Sequence, residues 1–532
     1  MSFDIIIQGG LIIDGQSGDA VSIEGDVGIE AERIKKIGDL RGAQAGRIVD
    51  ARGLHVCPGF IDAHAHSEFT LLADGRAQGK ISQGITTEIN GNCGLSAAPL
   101  YGPAFEQRIA ELEGLGIKER WNSFSEYFSM LSGKGCAVNF LTLIGHGNLR
   151  SSVAGNEDRK LTDGEKEKIF LLLDEALSDG AAGLSTGLIY PPGVYSDTSE
   201  IIDLARHAAG RGGSIYTTHM RSEGDELLES IDEAIKIGLD SGAHVHISHL
   251  KTAGEMNWGK IDRVFEKISD AHQKGVRLTC DRYPYTAGST GLDAILPSWA
   301  YDGGPEEELK RLRNERERLA SDILKAFPDE TGWKNVVISS VNSDRNRWMQ
   351  GKSLFEISRL QDKTRLECLF GLLIDEKLRV DAIFFSMNED NLRSILRQPY
   401  TMIGSDSSAR SFDGITARGK PHPRGFGTFP RVLGRYVREQ ALLSLEEAVY
   451  RMTGLTAETF GIKNRGVIKE GYFADITVFD ADKVIDVADY DDPFKKPEGI
   501  HYVFVNGGPA LWEGSLTGAL NGRILKNQHI NP

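Results

Sequence analysis

The chain has 532 residues, with 61 Lys and Arg against 76 Asp and Glu, which gives a formal net charge of −15 at pH 7. This acidic balance argues against a nucleic-acid-binding surface, because neutralising phosphates requires concentrated Lys and Arg. No apolar run approaches the roughly 20 residues that a transmembrane helix needs, which argues against a membrane protein. The opening residues lack the basic and cleavage features of an export signal, and the five cysteines form no disulfide framework. These features predict a cytoplasmic globular protein and leave its oligomeric state open.

Short apolar runs split by Gly and Asp predict β-strands at both ends of the chain. Because the two ends share this sequence pattern, we expect residues 1–57 and 465–532 to form one small β-sandwich domain. The predicted strands are 5–7, 11–13, 27–29, 34–37, 48–49, 475–479 and 501–505.

Between these ends, strand patterns alternate with helix patterns. Eight strands alternating with helices predict a distorted TIM (β/α)8 barrel over residues 58–464, although a doubly wound open sheet would alternate in the same way. The predicted strands are 59–63, 85–89, 138–144, 182–184, 214–218, 244–248, 277–280 and 400–404. Helices are predicted at 163–179, 199–211, 227–242 and 258–274.

The stretch from about residue 300 to 399 is longer than one strand–helix unit, so we interpret it as an insertion between the last two strands. It contains a charged segment, residues 306–321, whose spacing of Glu, Lys and Arg predicts one solvated helix. The insertion could cap a site or merely decorate the fold.

A His-x-His motif, His64 and His66, follows the first apolar strand of the barrel pattern. Alternate residues of a strand point to the same face, so the two imidazoles are expected to project together. In a dry interior such a pair either is satisfied by hydrogen bonds or binds a cation.

Four more potential ligands follow later strands: Cys93, His219, His249 and Asp406. Taken alone, each of these residues can also be explained by a structural role. A lone cysteine is usually a small buried hydrophobe, and an Asp at that place is often a helix N-cap. Among the histidines of the sixth strand, His244 and His246 have the opposite parity to His249, so at most one set should face the interior. We favour His249, because Val245 and Ile247 share its parity.

Taken together, all six residues fall at the same end of successive strands, which is the end where barrel enzymes keep their catalytic groups. Imidazole and thiolate ligands favour zinc over magnesium or calcium. Such a centre activates water and polarises a carbonyl, and a neighbouring carboxylate such as Asp406 can carry the proton to a departing amine. This is the chemistry of amide hydrolysis.

These motifs resemble the amidohydrolase superfamily and, within it, the N-acyl-D-amino-acid deacylases, or D-aminoacylases. The segment Gly91-Asn92-Cys93-Gly94 and the segment ending in Tyr190-Pro191-Pro192 are the more specific signals. Further matching segments are 9–15, 58–66, 183–189, 247–251, 281–285, 404–406, 422–424, 427–431 and 471–479.

The resemblance implies hydrolysis of small N-acyl-D-amino acids by one tightly held zinc on Cys93, His219 and His249. It implies a second, weaker site near His64, His66 and Asp406, with Cys93 as a possible bridge and Asp406 as general base and acid. The positions that would hold the α-carboxylate of the substrate are Lys251, Tyr283, Ser289 and Arg424, and Tyr190 either lines the site or only packs beside it.

Three alternatives remain at this point. The chain could be a D-amino-acid dipeptidase or a cyclic-amide hydrolase of the same superfamily. It could also be a non-catalytic scaffold that keeps the barrel, although such a scaffold would be expected to lose ligands that are all present here.

Overall fold

The structure is a computed structural model that describes residues 2–16, 22–213 and 215–527. Nine of its strands form one sheet to which both chain ends contribute, in the order given by the pairing of neighbouring strands. The strand His55–Pro58 joins the two ends, because it runs parallel to Ser2–Ile12 on one side and antiparallel to Ile476–Phe479 on the other. The remaining strands of this terminal sheet are Ile23–Glu30, Arg33–Gly38, Gln44–Asp50, Ile500–Val505, Gly508–Trp512 and Ser515–Leu516.

The first strand differs from the expectation of two short strands at 5–7 and 11–13. The structure has a single strand, Ser2–Ile12, whose register against Ile23–Glu30 shifts between Ile7 and Gly10. Gly9, with φ +69, supplies the backbone conformation for a bulge rather than a turn, so the strand bends and continues.

The middle of the chain supplies a second set of strands, which are parallel and form a closed ring. Seven pairings follow the order of the sequence. The ring closes where Ala63 N donates to Ile403 O at 3.2 Å and where Ala65 bridges Ser407. Its strands are Phe60–Asp62, Ile85–Asn90, Asn139–Thr142 with Ile144–Gly145, Gly183–Gly187, Ile215–His219, His244–Ile247, Leu278–Arg282 and Thr401–Ile403. Ser214, which was included in the fifth predicted strand, lies outside the described residues.

Helices connect the ring strands and pack outside them. The helix Asp163–Asp179 has the predicted bounds, because Thr162 and Glu165 form a capping box at its start and Gly180 takes a left-handed conformation at its end. The other helices of this part are Glu68–Ala73, Gln78–Ile81, Pro103–Glu106, Ile109–Gly114, Phe124–Lys134, His146–Ala154, Thr198–Gly210, Leu227–Ser241, Ile261–Gln273, Glu389–Leu396, Arg424–Arg431, Leu445–Met452 and Gly454–Thr459.

Residues 288–384 build a small three-stranded antiparallel sheet with a hydrophobic core of its own around Leu312, Trp333 and Leu369. Its strands are Gly288–Gly291, Val336–Val341 and Val380–Phe384. Its helices are Pro305–Asn314, Arg316–Ala326, Glu330–Lys334, Leu354–Gln361 and Arg365–Asp375.

The prediction of a single charged helix at 306–321 is wrong. Two helices meet there at Glu315, whose φ of −118° and ψ of 33° are not helical. Asn314 precedes the break, and asparagine favours helix ends because its side chain competes for backbone hydrogen bonds.

The molecule is therefore a mixed α/β protein in which a ring of parallel strands stands beside a sheet built from both chain ends. Among the described residues, no helix has the length and apolar character to cross a bilayer.

Candidate metal centre and active site

The six candidate ligands lie where ring strands end. His64 and His66 follow Phe60–Asp62, and Cys93 follows Ile85–Asn90. His219 ends its own strand, His249 comes two residues after His244–Ile247, and Asp406 comes three residues after Thr401–Ile403. Because the ring strands are parallel, their carboxyl ends share one rim and bring these side chains together.

Cys93 stands at the centre of the cluster. Its Sγ lies 3.3 Å from His64 Nε2 and 3.5 Å from His249 Nε2. His64, Cys93 and His249 are all buried. Gly187 allows the backbone of Cys93 to lie close to the fourth ring strand, since a Cβ there would lie 2.2 Å from the carbonyl oxygen of Cys93.

Asp406 and His66 complete one side of the cluster. His66 Nε2 lies 3.2 Å from His64 Nε2 and 3.3 Å from Asp406 Oδ1. The other carboxylate oxygen, Oδ2, forms an ion pair with Arg424 Nη1 at 2.8 Å. The two oxygens of Asp406 therefore face different partners, the histidines on one side and a guanidinium on the other.

His219 completes the other side. Its ring packs edge-on against His249, with ring centroids 4.5 Å apart, and against Tyr190 at 5.0 Å. Within the part of the chain that the structure describes, neither buried ring nitrogen of His219 has a hydrogen-bond partner. A buried imidazole without partners is costly, which is an argument that it serves a ligand.

Three of the candidate ligands adopt left-handed backbone conformations that non-glycine residues rarely take. The φ angles are 54° at Cys93, 38° at His249 and 49° at Asp406. Such conformations cost of order 1–3 kcal/mol each and cluster at functional sites. Their coincidence in three residues of one cluster indicates a site whose geometry is maintained against local preference.

The electrostatics of the cluster favour a thiolate at Cys93. Burial alone raises the pKa of this thiol, but the adjacent His64 and His249 lower it well below its usual value. Burial would lower the pKa of His249, and Lys251 opposes protonation too, but Glu223 and the Cys93 thiolate raise it to about 9. The pocket thus gathers anionic and imidazole donors, the set that zinc prefers.

Glu223 is a residue of this site that the sequence reasoning missed. Its Oε1 lies 2.9 Å from His249 Nδ1 and 2.5 Å from Lys251 Nζ. Its Oε2 is 3.6 Å from His219 Nε2. Its position four residues after His219 was the available signal, but a single Glu in a loop gives no pattern.

Asp281 is the second missed residue, although it lies within a matching motif. It is fully buried, and its carboxylate contacts His64 Nδ1 at 3.1 Å and His246 Nε2 at 3.0 Å. It also accepts a hydrogen bond from the backbone N of His249 at 3.1 Å.

The expectation that at most one set of sixth-strand histidines faces the interior is therefore wrong. The His246 ring contacts Asp281 and the His249 ring contacts Cys93, despite their opposite parity. The strand ends at Ile247, and the left-handed backbone of His249 redirects its side chain, so alternation no longer applies there.

The predicted substrate-binding residues lie on the same rim. Lys251 and Arg424 are buried, which excludes ordinary surface charge, and Arg424 lies over the Tyr283 ring with its Cζ 4.6 Å from the centroid. Ser289 donates its hydroxyl hydrogen bond to Ala382 O at 3.0 Å, while its carbonyl oxygen accepts from Arg424 Nη2 at 3.3 Å. The Tyr190 hydroxyl lies 3.1 Å from Thr290 Oγ1. Thr290 directly follows Ser289 in the strand Gly288–Gly291.

A buried ion-pair network connects the first and last ring strands below the candidate ligands. Lys80 Nζ lies 2.7 Å from Asp62 Oδ2 and 2.9 Å from Glu88 Oε1. Asp62 also accepts from the backbone N of His64 and of Ser405. The first and last ring strands, which carry His64 and Asp406, are thus tied to one another.

The donor groups meet the requirements of a metal centre. Ligand atoms of His64, Cys93 and His249 all lie within 4.8 Å of one another, and so do those of His64, His66 and Asp406. A third such group comprises His219, Glu223 and His249. Buried thiolate, imidazole and carboxylate donors at this spacing fit a transition-metal ion such as zinc.

Known proteins are similar to this chain over nearly its full length. The chain is 37% identical over 529 residues to the D-aminoacylase of Alcaligenes xylosoxydans xylosoxydans, covering 98% of this chain and 97% of that protein. It is 38% identical to the N-acyl-D-aspartate deacylase of the same organism, over 97% of this chain and 93% of that protein.

Solved structures are similar over the same extent. A crystal structure of D-aminoacylase matches with a TM-score of 0.82 and 36% identity, covering 98% of this chain and all of that chain. The N-acyl-D-glutamate deacylase of Bordetella bronchiseptica, solved with zinc and a phosphonate that mimics the tetrahedral intermediate, matches with a TM-score of 0.82 and 33% identity. That match covers 99% of this chain and 100% of the other. A D-hydantoinase, at 18% identity and a TM-score of 0.54 over 98% of both chains, shares the fold.

The model of the amidohydrolase family matches residues 47–316 and 322–510, which include every candidate ligand and most of the ring. The chain belongs to the amidohydrolase family.

Proposed function

We propose that this protein is a metal-dependent hydrolase that cleaves the amide bond of N-acyl-D-amino acids, releasing a carboxylate and a free D-amino acid. The observation that carries the proposal is the convergence of Cys93 Sγ on His64 Nε2 and His249 Nε2 at the rim of the ring. The relatives are a D-aminoacylase and deacylases of N-acyl-D-aspartate and N-acyl-D-glutamate, and they match this chain over nearly its full length. Their names support the substrate class.

In this proposal Cys93, His219 and His249 hold one zinc ion tightly, and His64, His66 and Asp406 provide a weaker second site next to Cys93. Zinc at such a centre supplies Lewis-acid polarisation of the amide carbonyl and a lowered pKa for water. The buried ring of His219, with Nε2 at 3.6 Å from Glu223 Oε2, and the acidic thiol of Cys93 are the features of this chain that support the assignment.

Asp406 is the proposed general base and acid. Its Oδ2 is held by Arg424, so Oδ1, facing the histidines, is the oxygen available to take a proton from the attacking water. Burial raises the pKa of Asp406, but Arg424, His249 and His64 lower it well below the usual value, so the residue starts as a carboxylate. As the C–N bond breaks, the same oxygen returns the proton to the leaving nitrogen.

The α-carboxylate of the substrate is proposed to bind Arg424, Lys251, Tyr283 and Ser289. Arg424 offers a planar fork of donors, and Lys251 adds a second cation on the same rim. Burial raises the pKa of Tyr283, but Lys251, Arg282 and Arg424 lower it below its ordinary value, so this hydroxyl is a strong donor. Fixing the carboxylate orients the amide toward Asp406.

We also propose that the ring is the distorted (β/α)8 barrel of this family, extending over residues 58–464. Residues 1–57 and 465–532 would then form the small β-sandwich domain. In this interpretation the small antiparallel unit of residues 288–384, which includes most of the insertion at about 300–399, caps the site. The contacts of Tyr190 with Thr290 and of Arg424 with Ser289, both in the first strand of that unit, support this proposal.

The experiment that tests the function is turnover of matched N-acetyl-D- and N-acetyl-L-amino acids by zinc-loaded protein. We expect release of free amino acid from the D-series only. Turnover confined to the L-series, or none in either, would overturn the proposal. Preferred cleavage of D-amino-acid dipeptides or cyclic amides in a parallel panel would assign the site to the corresponding alternative hydrolase.

A further inference from the structure

Four polar side chains, those of His244, Thr279, His246 and Asp281, connect the start of the sixth ring strand to the candidate ligand His64. His244 Nε2 lies 3.0 Å from Thr279 Oγ1, which lies 2.9 Å from His246 Nδ1. His246 Nε2 lies 3.0 Å from Asp281 Oδ2, and the same oxygen lies 3.1 Å from His64 Nδ1. The result is an unbroken hydrogen-bonded chain. It alternates between the sixth and seventh ring strands and ends at His64, which follows the first.

The surroundings of this chain are apolar. His246 and Asp281 are fully buried, and Thr279 is 8% exposed. The His246 ring packs edge-on against Phe460, with centroids 5.4 Å apart. Phe460 belongs to a cluster of buried side chains with Ile61 and Met402 of the ring strands. In such an environment each polar atom needs a partner, so the direction of every hydrogen bond is constrained.

Only one arrangement of protons satisfies the whole chain with neutral imidazoles. The Asp281 carboxylate only accepts, so His246 donates from Nε2 and His64 donates from Nδ1. A neutral His246 then accepts at Nδ1, where the Thr279 hydroxyl donates. The Thr279 oxygen in turn accepts from His244 Nε2. Burial is the main cause that lowers the pKa of His244 to about 3, which agrees with a neutral ring at the start of the chain.

We propose that Thr279, His246 and Asp281 are positioning residues that act in series, fixing the His64 ring as the Nδ1–H tautomer with Nε2 free for the metal. Carboxylate partners of this kind orient metal-binding histidines and strengthen metal affinity. In this chain the carboxylate is itself oriented by a neutral histidine, whose tautomer is set by a threonine hydroxyl.

Asp281 extends the effect to a second candidate ligand. Its Oδ1 accepts from the backbone N of His249, and its carbonyl oxygen accepts from Leu250 N at 3.0 Å. These two bonds secure the turn in which His249 takes its left-handed conformation. Gly404 allows the carboxylate to sit there, because a Cβ at that position would lie 2.8 Å from Asp281 Oδ1. A change in the orientation of Asp281 is therefore transmitted to both His64 and His249.

The inference rests on the proposed metal site, and it predicts properties of the chain that do not depend on amide hydrolysis. Thr279→Val removes the hydroxyl at nearly constant shape, while Thr279→Ser keeps it and serves as the matched control. Zinc affinity, measured by competition with a chromophoric chelator, is expected to fall about tenfold in Thr279→Val. In Thr279→Ser it is expected to stay at the wild-type value.

The second measurement observes the tautomers in the wild-type protein. Nitrogen-15 NMR of zinc-loaded wild-type protein labelled at its 13 histidines reports tautomers, with His246→Gln used to assign the His246 signals. We expect His246 and His64 to be neutral, with the proton on Nε2 in His246 and on Nδ1 in His64. In Thr279→Val, the His246 signals should shift toward the other tautomer.

A doubly protonated His246 in the wild type, or its Nδ1–H tautomer, would overturn the proposal. So would wild-type zinc affinity in Thr279→Val, or an equal loss of affinity in Thr279→Ser, which would indicate a merely structural role. Absence of zinc binding by the wild type would instead refute the metal site, and the tautomer of His246, measured in the metal-free protein, then decides the hydrogen-bond chain.

Discussion

At the scale of single residues, the site is defined by conformations that the surroundings impose. Cys93, His249 and Asp406 each take a left-handed backbone conformation. Two of these residues are secured by hydrogen bonds from their backbone N, His249 to Asp281 Oδ1 at 3.1 Å and Asp406 to His64 O at 2.8 Å. The ring therefore stores strain at the residues that gather the ligand atoms, which is a common property of functional sites.

Cys93 is expected to be the residue whose loss most affects metal binding, because it contacts ligands on both sides of the cluster. Cys93→Ala should abolish tight zinc binding and turnover while the circular dichroism spectrum stays unchanged. Cys368→Ala, at a buried cysteine of the small antiparallel unit, is the matched control and should keep its zinc. Wild-type zinc content in Cys93→Ala, measured by atomic emission after dialysis, would contradict the assignment.

Arg424 is expected to contribute through geometry as well as charge, since it contacts Asp406, the Tyr283 ring and Ser289 O. Arg424→Lys keeps the charge and loses the planar fork. We expect KM for an N-acyl-D-amino acid to rise about 10–100-fold, the value of a charge-assisted hydrogen bond.

The control for this prediction is a substrate rather than a variant. The corresponding N-acyl-D-amino acid amide lacks the carboxylate, so its kcat/KM should change much less in Arg424→Lys. Equal losses for both substrates would mean that Arg424 acts only through Asp406.

How much of the site can be predicted from sequence depends on whether a residue lies in a local pattern. His64 and His66 form such a pattern, and their Nε2 atoms do meet at 3.2 Å. Glu223 and Asp281 do not, because their partners come from distant strands and their chemistry exists only after folding. Parity failed at His249 for a related reason, since a left-handed residue past the strand end cannot be recognised in the sequence.

At the scale of elements, capping signals made helix positions predictable. The helix Asp163–Asp179 has the predicted bounds because both of its ends carry local signals, Thr162 with Glu165 and then Gly180. The sequence could not show that the first strand is continuous, because Gly9 and Gly10 give the same signal for a bulge as for a turn. The break at Glu315 likewise depends on how two helices pack, which charge spacing does not report.

The helix Pro305–Asn314 carries a buried acid, Glu308, that we expect to make stability depend on pH. Burial and the neighbouring Asp293 raise the pKa of Glu308 to about 8, against the partial opposition of Arg311. The folded state thus holds a proton that the unfolded chain has lost, so stability is full below the ordinary pKa of Glu and falls as pH rises toward about 8.

Glu308→Gln removes this titration and should raise the free energy of unfolding at pH 8.5 by up to about 5 kcal/mol. At pH 4 the variant should differ little from the wild type. Denaturant unfolding at the two pH values measures the difference. Glu307→Gln, at an exposed neighbour paired with Lys310, is the control and should show no such pH dependence. A stabilisation of Glu308→Gln that is equal at both pH values would rule out the protonated acid.

At the scale of the whole molecule, the sheet from the two chain ends is joined to the ring by a buried polar cluster. Asp475, which precedes the strand Ile476–Phe479, forms an ion pair with Arg465 and accepts from Asn506 N at 2.7 Å. It also accepts from Asn139 Nδ2 at 3.1 Å, and Asn139 lies on the third ring strand. The apolar runs at both ends predicted β-structure, but the residues that join it to the ring are polar and carry no periodic signal.

We expect this junction to contribute strongly to global stability, because removing one member leaves the others buried without partners. Asp475→Ala should lower the free energy of unfolding by about 3–5 kcal/mol, since Arg465 would remain as an uncompensated buried charge. Asp50→Ala breaks the exposed pair with Arg52 and should cost less than about 1 kcal/mol. Urea titrations followed by circular dichroism measure both values. Equal, small losses in the two variants would mean that the sheet and the ring hold together without this cluster. A large loss confined to Asp475→Ala would identify it as the link through which the two chain ends stabilise the ring that carries the site.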